Sequence, residues 1–403
     1  MGPQSRHADD RCPGALRVHE AADGGLIRVR VPGGRLRTAQ WHALAEASRT
    51  HAAGGWELTG RANVQVRGLR PDAAAAMAAD LAAAGLLPSA AHDRVRNIVA
   101  SPLTGRDGAG HLDARPLVAA LDRGLTGDPT LTALPGRFLF GVDDGRGDLL
   151  ALRPDALAYA TGADEVALWF AGVDSGLRVP APLAPGALVA AAHAFLAERA
   201  AQGSRAWRVE ELAGGGRYVA ERLAVACDAA ATRHPPAPTP PTAAAGHGPL
   251  GPVRQRDGRV AVAAAVPLGR LSDAQARLLG ALAAGELVVT PWRSVVLPDL
   301  PDDAAATDLA AAGLVLDPAS PWVGVTACAG TGCAKALADV RDDARRVHGG
   351  HGVRGPAHWS GCGRRCGRPP GAVWEMVAGD GGYRYEGAAA TGTAVAAALR
   401  RNT

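Results

Sequence analysis

The stretch VPGGRLRTAQ, residues 31–40, decides the fold because it returns later in the chain as VPLGRLSDAQ, residues 266–275. Two further blocks repeat in the same order: GWELTGRANVQVRGL, ending at Leu69, returns as GELVVTPWRSVVLPDL, ending at Leu300, and DLAAAGLL at residues 80–87 returns as DLAAAGLV at residues 308–315. The copies lie more than 200 residues apart. The repeat therefore indicates a duplicated domain and not a solenoid.

Both copies show the same alternation of strand and helix periods. A strand (LIRVRV or RVAVAAAV) leads through a glycine turn into a helix, and a second strand and helix follow. This order predicts an α+β fold with two ferredoxin-like half-domains, each followed by a larger α/β segment, in a pseudo-twofold arrangement. We predict five units: a first half-domain at 11–90, a first α+β domain at 91–232, a Pro/Ala/Gly linker at 233–251, a second half-domain at 252–318 and a cysteine-bearing segment at 319–403.

The composition is that of a globular protein, with 47% hydrophobic, 20% charged and 4% aromatic residues. A net charge of +4 is too small to indicate nucleic acid as a partner. The N-terminus has no apolar core of a signal peptide, and no run of 18 apolar residues suggests a membrane span. These features predict a cytoplasmic protein, and in that compartment clustered thiols favour metal binding over disulfides.

Four of the six cysteines form two close pairs. Cys328 and Cys333 are separated by four residues, and Cys362 and Cys366 by three. Thiolates at this density bind soft metals or iron–sulfur clusters. A [4Fe–4S] cluster, a structural zinc ion and four unligated thiols stay open as alternatives, and spacings wider than the usual zinc knuckle favour the cluster.

The segments around the pairs carry further signals. An apolar face at Leu337, Val340, Ala344 and Val347 predicts a helix that would place Cys333 at its N-terminus. A hairpin is predicted in AVWEMVAGDGGYRYEG, with a glycine-rich turn. Cys227 lies in a helical run and is predicted to be a small buried hydrophobe.

A polar face distinguishes the strand-like stretch ELTGRANVQVRGL. If the whole stretch is a strand, one face carries four polar side chains: Arg61, Asn63, Gln65 and Arg67. Arginines and amides can bind carboxylates, whereas the same face could also be an ordinary solvated one. Arg96 in RVRNIVASP and Arg137 in LPGRFLFGVDDG add two cations. Together these residues suggest an arginine-lined cavity for a polyanion.

These motifs resemble those of the nitrite/sulfite reductase superfamily, and most closely its vitamin B12 branch, the precorrin-3B synthases. The resemblance rests on LTGRANVQVRG, VRNIVASP, LPGRFLFGVDDG and both cysteine motifs, and it covers almost the whole chain. It implies a duplicated nitrite/sulfite reductase-like architecture and a [4Fe–4S] cluster on Cys328, Cys333, Cys362 and Cys366. It also implies that a polycarboxylated tetrapyrrole binds to the arginine and amide side chains, namely Arg61, Asn63, Gln65, Arg67, Arg96 and Arg137.

In this branch the expected reaction is that of a monooxygenase-type oxidoreductase. Precorrin-3A would be hydroxylated with dioxygen and closed to a ring A lactone, giving precorrin-3B for cobalamin biosynthesis. An NADH-linked reductase or a ferredoxin would supply electrons to the cluster. A mononuclear iron is a further candidate cofactor, with His358 as a candidate ligand. The alternative is an assimilatory sulfite or nitrite reductase that carries siroheme.

Three features favour the B12 branch in this comparison. The reductases carry two basic residues where this chain has Arg137 and Leu139, the VDDG turn follows, and 403 residues is a usual length for the synthases. One feature departs from the family pattern. The first cysteine pair is usually separated by five residues, and in CAGTGC it is separated by four.

Overall fold

A computed structural model describes residues 10, 12–53, 55–226, 231–236, 247–350, 353–371 and 373–386. Cys227 and most of the predicted linker, residues 237–246, lie outside the described residues. The first half-domain has five strands and two helices, in the order β1 His19–Ala21, β2 Gly24–Val29, β3 Arg35–Arg37, α1 Thr38–His51, β4 Trp56–Leu58, β5 Val64–Leu69 and α2 Ala74–Ala83. Alternate residues of β2 and β5, such as Ile27 and Val64, are buried under the two helices.

The segment after the first half-domain is built on a six-stranded sheet. Its elements are β6 Ile98–Ala100, α3 Arg115–Thr126, β7 Phe140–Asp143, β8 Ala156–Ala160, β9 Glu165–Phe170, β10 Val173–Pro180, α4 Ala184–Ala201, α5 Gly216–Ala226 and β11 Thr232–Arg233. By length and composition, the helical stretch Ala181–Ala201 could span a membrane, although the sequence has no run of 18 apolar residues. More than half of it is buried, and α4 packs between α3 and α5 as a core helix.

The second half-domain repeats the order of the first. It comprises β12 Gly251–Arg254, β13 Val260–Ala265, β14 Arg270–Leu271, α6 Asp273–Leu282, β15 Glu286–Val289, β16 Ser294–Leu300 and α7 Ala305–Ala311. The last segment contains β17 Val325–Ala327, α8 Val340–Ala344, a π-helical turn Arg345–Gly350, β18 Ala357–Ser360, β19 Trp374–Gly379 and β20 Gly382–Glu386. The antiparallel pairing of β19 with β20 confirms the predicted hairpin.

The helix predicted after Cys333 begins later than its apolar pattern indicated. The Asp339 side chain accepts a hydrogen bond from the Asp342 amide at 3.2 Å and caps α8, so the helix starts at Val340. The preceding chain is held elsewhere, because the Leu337 amide donates to the carbonyl of Gly361 at 2.8 Å. Cys333 therefore does not lie at a helix N-terminus, and Leu337 is exposed.

Each half-domain sheet is completed by a strand from the other copy. The strand order is β1-β2-β5-β4-β14 in one sheet and β12-β13-β16-β15-β3 in the other, with every pair antiparallel. One hydrophobic core extends through both copies, and the Trp41 indole donates to the carbonyl of Ala276 at 2.7 Å across the junction. The two halves are therefore interlocked and are not two independent domains.

Glycines in the repeated VPxG turn permit this exchange. Gly34 has a φ of 71°, and a Cβ atom there would lie 1.9 Å from the carbonyl oxygen of Val289 in β15. In the second copy, Gly269 takes the same left-handed conformation with a φ of 70°. Only a residue without a side chain lets β3 approach β15 this closely.

The two larger segments also share a strand pattern. In the first, β6, β7 and β8 run parallel to their neighbours and β9 runs antiparallel to β8. In the second, β17, β18 and β19 run parallel and β20 runs antiparallel to β19. The duplication thus includes the larger segments, and the chain leaves β17 and β18 at the same edge of their sheet.

Arg106 joins the loop after β6 to the second half-domain. Its guanidinium donates to the Asp299 carboxylate at 3.0 and 2.8 Å and to Glu286 at 3.0 Å. The hydrogen bond from Arg106 lowers the pKa of Asp299 to about 2. A carboxyl whose pKa is lowered by folding stabilises the folded state fully above its unfolded pKa of about 3.9, and this contribution disappears as the pH falls toward the folded value.

We therefore expect the free energy of unfolding to decrease between about pH 4 and pH 2, partly through Asp299. Asp299→Asn should flatten this part of the curve, measured by urea unfolding at a series of pH values. Asp72→Asn, at an exposed carboxylate, is the matched control. An Asp299→Asn curve with the slope of the wild type would contradict the prediction.

Candidate functional site

The two cysteine pairs follow neighbouring parallel strands. Cys328 comes directly after β17, and Cys362 comes two residues after β18. The amide of Cys328 donates to the carbonyl of Trp359 at 2.9 Å, which extends the pairing of the two strands to the first thiol. Since the carboxyl ends of parallel strands meet at one edge of the sheet, both pairs lie at that edge.

The four thiols are close enough to affect one another electrostatically. Burial raises the pKa of Cys366, and the negative charges of Cys328, Cys362 and Cys333 raise it further. Four thiolates are not stable together without a compensating cation. The arrangement therefore suits a positively charged inorganic core.

Backbone amides face the first thiol of this group. The amides of Gly361 and Gly330 approach the Cys328 Sγ atom at 3.1 and 3.5 Å. Such N–H groups stabilise a thiolate or the sulfur of an iron–sulfur cluster. A Cβ atom at Gly361 would lie 3.0 Å from the Cβ of Ala336 and 3.6 Å from that Sγ, so this approach depends on a glycine.

We expect Gly361→Ala to destabilise this segment by about 1–3 kcal/mol, because the added methyl overpacks the space between Ala336 and Cys328. Thermal unfolding of the purified protein measures the effect. Gly363→Ala is the control, since no atom lies within 4 Å of a Cβ at that position. Equal unfolding temperatures for the two variants would contradict the expectation.

A single metal ion requires several ligands that converge on one point. Among the residues that the structure describes, no three His, Cys, Asp or Glu side chains converge closely enough to hold one ion. His358, the candidate ligand for a mononuclear iron, is fully buried, and its Nδ1 lies 2.8 Å from the Thr326 hydroxyl. Burial, together with the nearby Arg293, lowers its pKa to about 4, so the imidazole is neutral at pH 7.

Two arginines connect the cysteine loops to the first half-domain. Arg67 donates to both carboxylate oxygens of Asp23, at 2.8 and 2.7 Å, and to the carbonyl of Gly332 at 2.9 Å. Arg341 donates to the carbonyl of Cys328 at 2.9 Å and forms an ion pair with Glu57. Arg67 was predicted to bind a tetrapyrrole, and the structure places it between strand β5 and the loop of the first cysteine pair.

An excess of positive charge lies on the same face of this sheet, toward β2. Burial lowers the pKa of Arg30 to about 9, and the charges of Arg28 and Arg61 repel it as well. Burial and the charge of Arg208 likewise lower the pKa of Arg61 to about 10. The Nη1 atom of Arg30, whose side chain is almost fully buried, has no hydrogen-bond partner within the described part of the chain. Buried cations of this kind favour the binding of an anion, since Asp93 and Asp155 offset the effect of burial on their pKa values only in part.

Arg28 and Arg30 were missed by the sequence reasoning. They stand two residues apart in LIRVRV, so the period of a strand puts both on the face opposite to the buried Ile27 and Val29. The alternation of arginine with apolar residues was the available signal. Burial lowers the pKa of Arg28, and nearby groups of the N-terminal arm, Cys12 and Asp10, act in the opposite direction.

The predicted polar face begins as a turn and only then becomes a strand. The Thr59 hydroxyl accepts from the amides of Arg61 and Asn63, at 3.3 and 3.1 Å, and the turn it closes precedes the start of β5 at Val64. The Asn63 side chain accepts from the amide of Val31 at 2.9 Å and donates to Asn97 at 3.1 Å. Asn63 is therefore held in a fixed orientation between β2 and the start of β6.

Gln65 lies on the face of β5 that strand alternation predicted. It lies on the face of β5 opposite to Val64 and Val66, and its carbonyl oxygen accepts from the Nε of Arg28 at 3.0 Å. Its amide group donates to Glu57 at 3.1 Å. Gln65 thus orients Arg28.

The remaining two predicted arginines are placed differently. Arg96 forms a bidentate ion pair with Asp122 of α3, both contacts at 2.7 Å, and lines a cleft of about 240 Å³ together with Arg30. Arg137 is exposed and lies over the Trp207 ring at 5.1 Å. Its charge contributes to lowering the pKa of Arg28, so Arg137 lies near the buried arginines of the first half-domain.

Two positions that favoured the B12 branch have structural roles. Leu139 is 3% exposed and packs in a hydrophobic cluster with Val99, Leu157 and Trp169, so its side chain does not face the arginines. The Asp143 carboxylate of the VDDG turn accepts from three backbone amides, those of Gly145, Gly147 and Leu149, at 2.9 to 3.0 Å. Neither feature therefore reports on the ligand.

Comparison with known proteins agrees with this architecture. The family model described as nitrite/sulfite reductase ferredoxin-like half domain matches residues 19–84 and 253–312. A ferredoxin–nitrite reductase of Synechococcus elongatus is 28% identical over 398 residues, covering 85% of this chain and 74% of that protein. One of Leptolyngbya laminosa is 28% identical over 151 residues, covering 36% of this chain and 30% of that protein.

A solved structure has the same fold. The Mycobacterium tuberculosis NirA protein aligns with a TM-score of 0.72 at 21% identity, covering 95% of this chain and 77% of that chain. The chain therefore has the duplicated nitrite/sulfite reductase-like architecture with two ferredoxin-like half-domains, as predicted.

The names of the relatives correct the expected activity. Both curated relatives are ferredoxin–nitrite reductases, so the assignment to precorrin-3B synthase is wrong, and precorrin-3A and dioxygen lose their support as substrates. The expected monooxygenase reaction and the expected role in cobalamin biosynthesis are likewise not supported. The physical reason is that Leu139 and the VDDG turn, which favoured that branch, belong to the core and to a turn.

Proposed function

We propose that the protein is a siroheme-dependent assimilatory reductase for a small oxyanion, with nitrite as the favoured substrate and ferredoxin as the electron donor. The observation that carries this proposal is the juxtaposition, in a reductase-like fold, of four thiols and of the arginines Arg28, Arg30 and Arg61 at the polar face of strand β5. The names of the curated relatives support nitrite and ferredoxin.

The thiol side fits a [4Fe–4S] cluster. Cys328, Cys333, Cys362 and Cys366 would ligate it, and the amides of Gly361 and Gly330 would donate to its sulfurs. The arginine side fits a polycarboxylated macrocycle such as siroheme, because the orphaned Nη1 atom of Arg30 and the mutual repulsion of the cavity arginines call for an anionic partner. When bound, these groups supply the electrons and the iron at which the oxyanion is reduced.

The chain's own residues bind and orient the ligands. Arg28, Arg30 and Arg61 would hold peripheral carboxylates, each charge-assisted bond contributing about 1.5–3 kcal/mol. Gln65 keeps Arg28 in place, and Asn63 keeps the turn that carries Arg61 against the start of β6. Arg137 is exposed and its charge acts on Arg28, so it would attract the anionic substrate toward these arginines.

The test is to purify the full chain anaerobically and to record its visible spectrum with its content of iron, acid-labile sulfide and zinc. Reduced ferredoxin is then supplied with nitrite, and ammonium is measured. We expect iron and sulfide, chlorin-type absorption bands and nitrite-dependent ammonium formation. Sulfite reduction to sulfide without nitrite reduction would overturn nitrite as the substrate. Zinc without iron would overturn the proposed function.

A further inference from the structure

The turn before the second strand of each half-domain has the same construction in both copies. In the first copy, the Thr59 hydroxyl accepts from the amide of Asn63 at 3.1 Å, and Ala62 between them has a φ of 54°. In the second copy, the Thr290 hydroxyl accepts from the amide of Ser294 at 3.3 Å, and Arg293 has a φ of 60°. The same left-handed position therefore carries a methyl group in one half and a guanidinium in the other.

A left-handed conformation is unfavourable for arginine, and it persists only where the surroundings impose it. Here the Arg293 amide donates to the carbonyl of Thr290 at 3.1 Å, and its carbonyl accepts from Val266 at 3.1 Å. The turn thus fixes the direction in which this side chain leaves the backbone. In the first copy the corresponding Ala62 packs into the hydrophobic cluster that contains Leu139.

The Arg293 side chain ends between the two halves of the site. Its Nη2 atom donates to the carbonyl of Gly367, the residue after Cys366, at 3.0 Å. A Cβ atom at Gly60, the neighbour of Arg61, would lie 3.7 Å from the same nitrogen. The guanidinium therefore bridges from the arginine-bearing turn of the first half to the loop of the second cysteine pair.

The charge of Arg293 is not neutralised locally. Within the described chain it forms no ion pair, and the one carboxylate that acts on it, Glu57, is already paired with Arg341. Burial lowers its pKa to about 10, which leaves it charged at pH 7. A fixed cation beside a cysteine ligand stabilises the more reduced, more negative form of a cluster.

We propose that Arg293 is a positioning residue that holds the Cys366 loop by its hydrogen bond to Gly367 and raises the reduction potential of the cluster by its charge. This inference rests on the proposed cluster. It gives the second half-domain a role at the cluster that the polar strand of the first half-domain does not have. Three substitutions separate the two effects. Arg293→Lys keeps the charge, Arg293→Gln keeps an N–H donor without the charge, and Arg293→Ala removes both.

The experiment is an anaerobic redox titration of each holoenzyme, followed by electron paramagnetic resonance of the reduced cluster. Arg293→Gln and Arg293→Ala should show a lower midpoint potential than the wild type, and Arg293→Lys should stay close to it. Arg217→Gln is the control, because this exposed arginine lies on α5 and pairs with Glu221, away from the cysteine loops. Its shift should be clearly smaller than that of Arg293→Gln.

A second readout follows the hydrogen bond. Iron release to a chelator should be about tenfold faster for Arg293→Ala than for the wild type, since loss of a group that orients a ligand weakens metal binding by about that factor. If Arg293→Gln cannot be isolated with its cluster, the release rates of the Lys and Ala variants decide, and equal rates would overturn the inference. Equal potentials for the wild type and Arg293→Gln would overturn it while leaving the proposed function intact. A wild-type protein without iron and sulfide would overturn both.

Discussion

Cys362→Ser is expected to abolish the cluster and to reduce nitrite-dependent ammonium formation to below about 1% of the wild-type rate. The basis is that loss of a residue that merely orients a ligand weakens metal binding by about 10–100-fold, and loss of the ligand itself must cost at least as much. Cys362 is one of the three thiols whose charge acts on Cys366, so its removal leaves three of the four proposed cluster ligands. Iron and sulfide analysis with the visible spectrum measures the first effect, and ammonium assays measure the second.

Cys12→Ser is the control for this substitution. Cys12 is half-buried in the N-terminal arm and faces the arginines rather than the paired cysteines. We expect it to retain full iron and sulfide content. Normal cluster content in Cys362→Ser would show that the two cysteine pairs do not share one cluster.

Arg61→Met is expected to weaken tetrapyrrole binding without destabilising the unloaded protein. Removing one charge-assisted contact should lower the affinity for the tetrapyrrole by roughly tenfold to a hundredfold, corresponding to about 1.5–3 kcal/mol. In the unloaded protein the same change removes a cation that burial and Arg208 already destabilise. Among the described residues, its guanidinium makes one hydrogen bond, a long one of 3.4 Å to the carbonyl of Gly136. The unfolding temperature of the unloaded variant should therefore not fall.

Siroheme content after purification and equilibrium binding of added siroheme measure the affinity, and calorimetry of the unloaded protein measures the stability. Arg217→Met is the control, because this arginine is exposed on α5 and pairs with Glu221 on the same helix. Unchanged tetrapyrrole binding in Arg61→Met would remove the arginine cavity from the proposed function. A large loss of stability would instead assign Arg61 a structural role.

Some side-chain roles depended on contacts that no local pattern reveals. The period of a strand predicted correctly that Gln65 lies opposite to Val64 and Val66, because alternation is a property of the backbone. The same period did not predict that Arg67 binds Asp23 and Gly332, or that Arg96 pairs with Asp122. Those partners are distant in sequence. Leu139 misled for the same reason, since its environment was inferred from its neighbours in the chain.

The sequence by itself determined the duplicated α+β architecture, because the repeated blocks carry the same periods and the same glycine turn. It also determined that the cysteines come in two pairs, since the number and spacing of thiols are properties of the chain. Only the tertiary structure decided that β3 and β14 exchange between the halves and that the two pairs meet at the ends of β17 and β18. Sheet pairing between distant segments depends on the shared core, which no local pattern records. For the same reason, only the structure placed Arg28, Arg30 and Arg293 at the site.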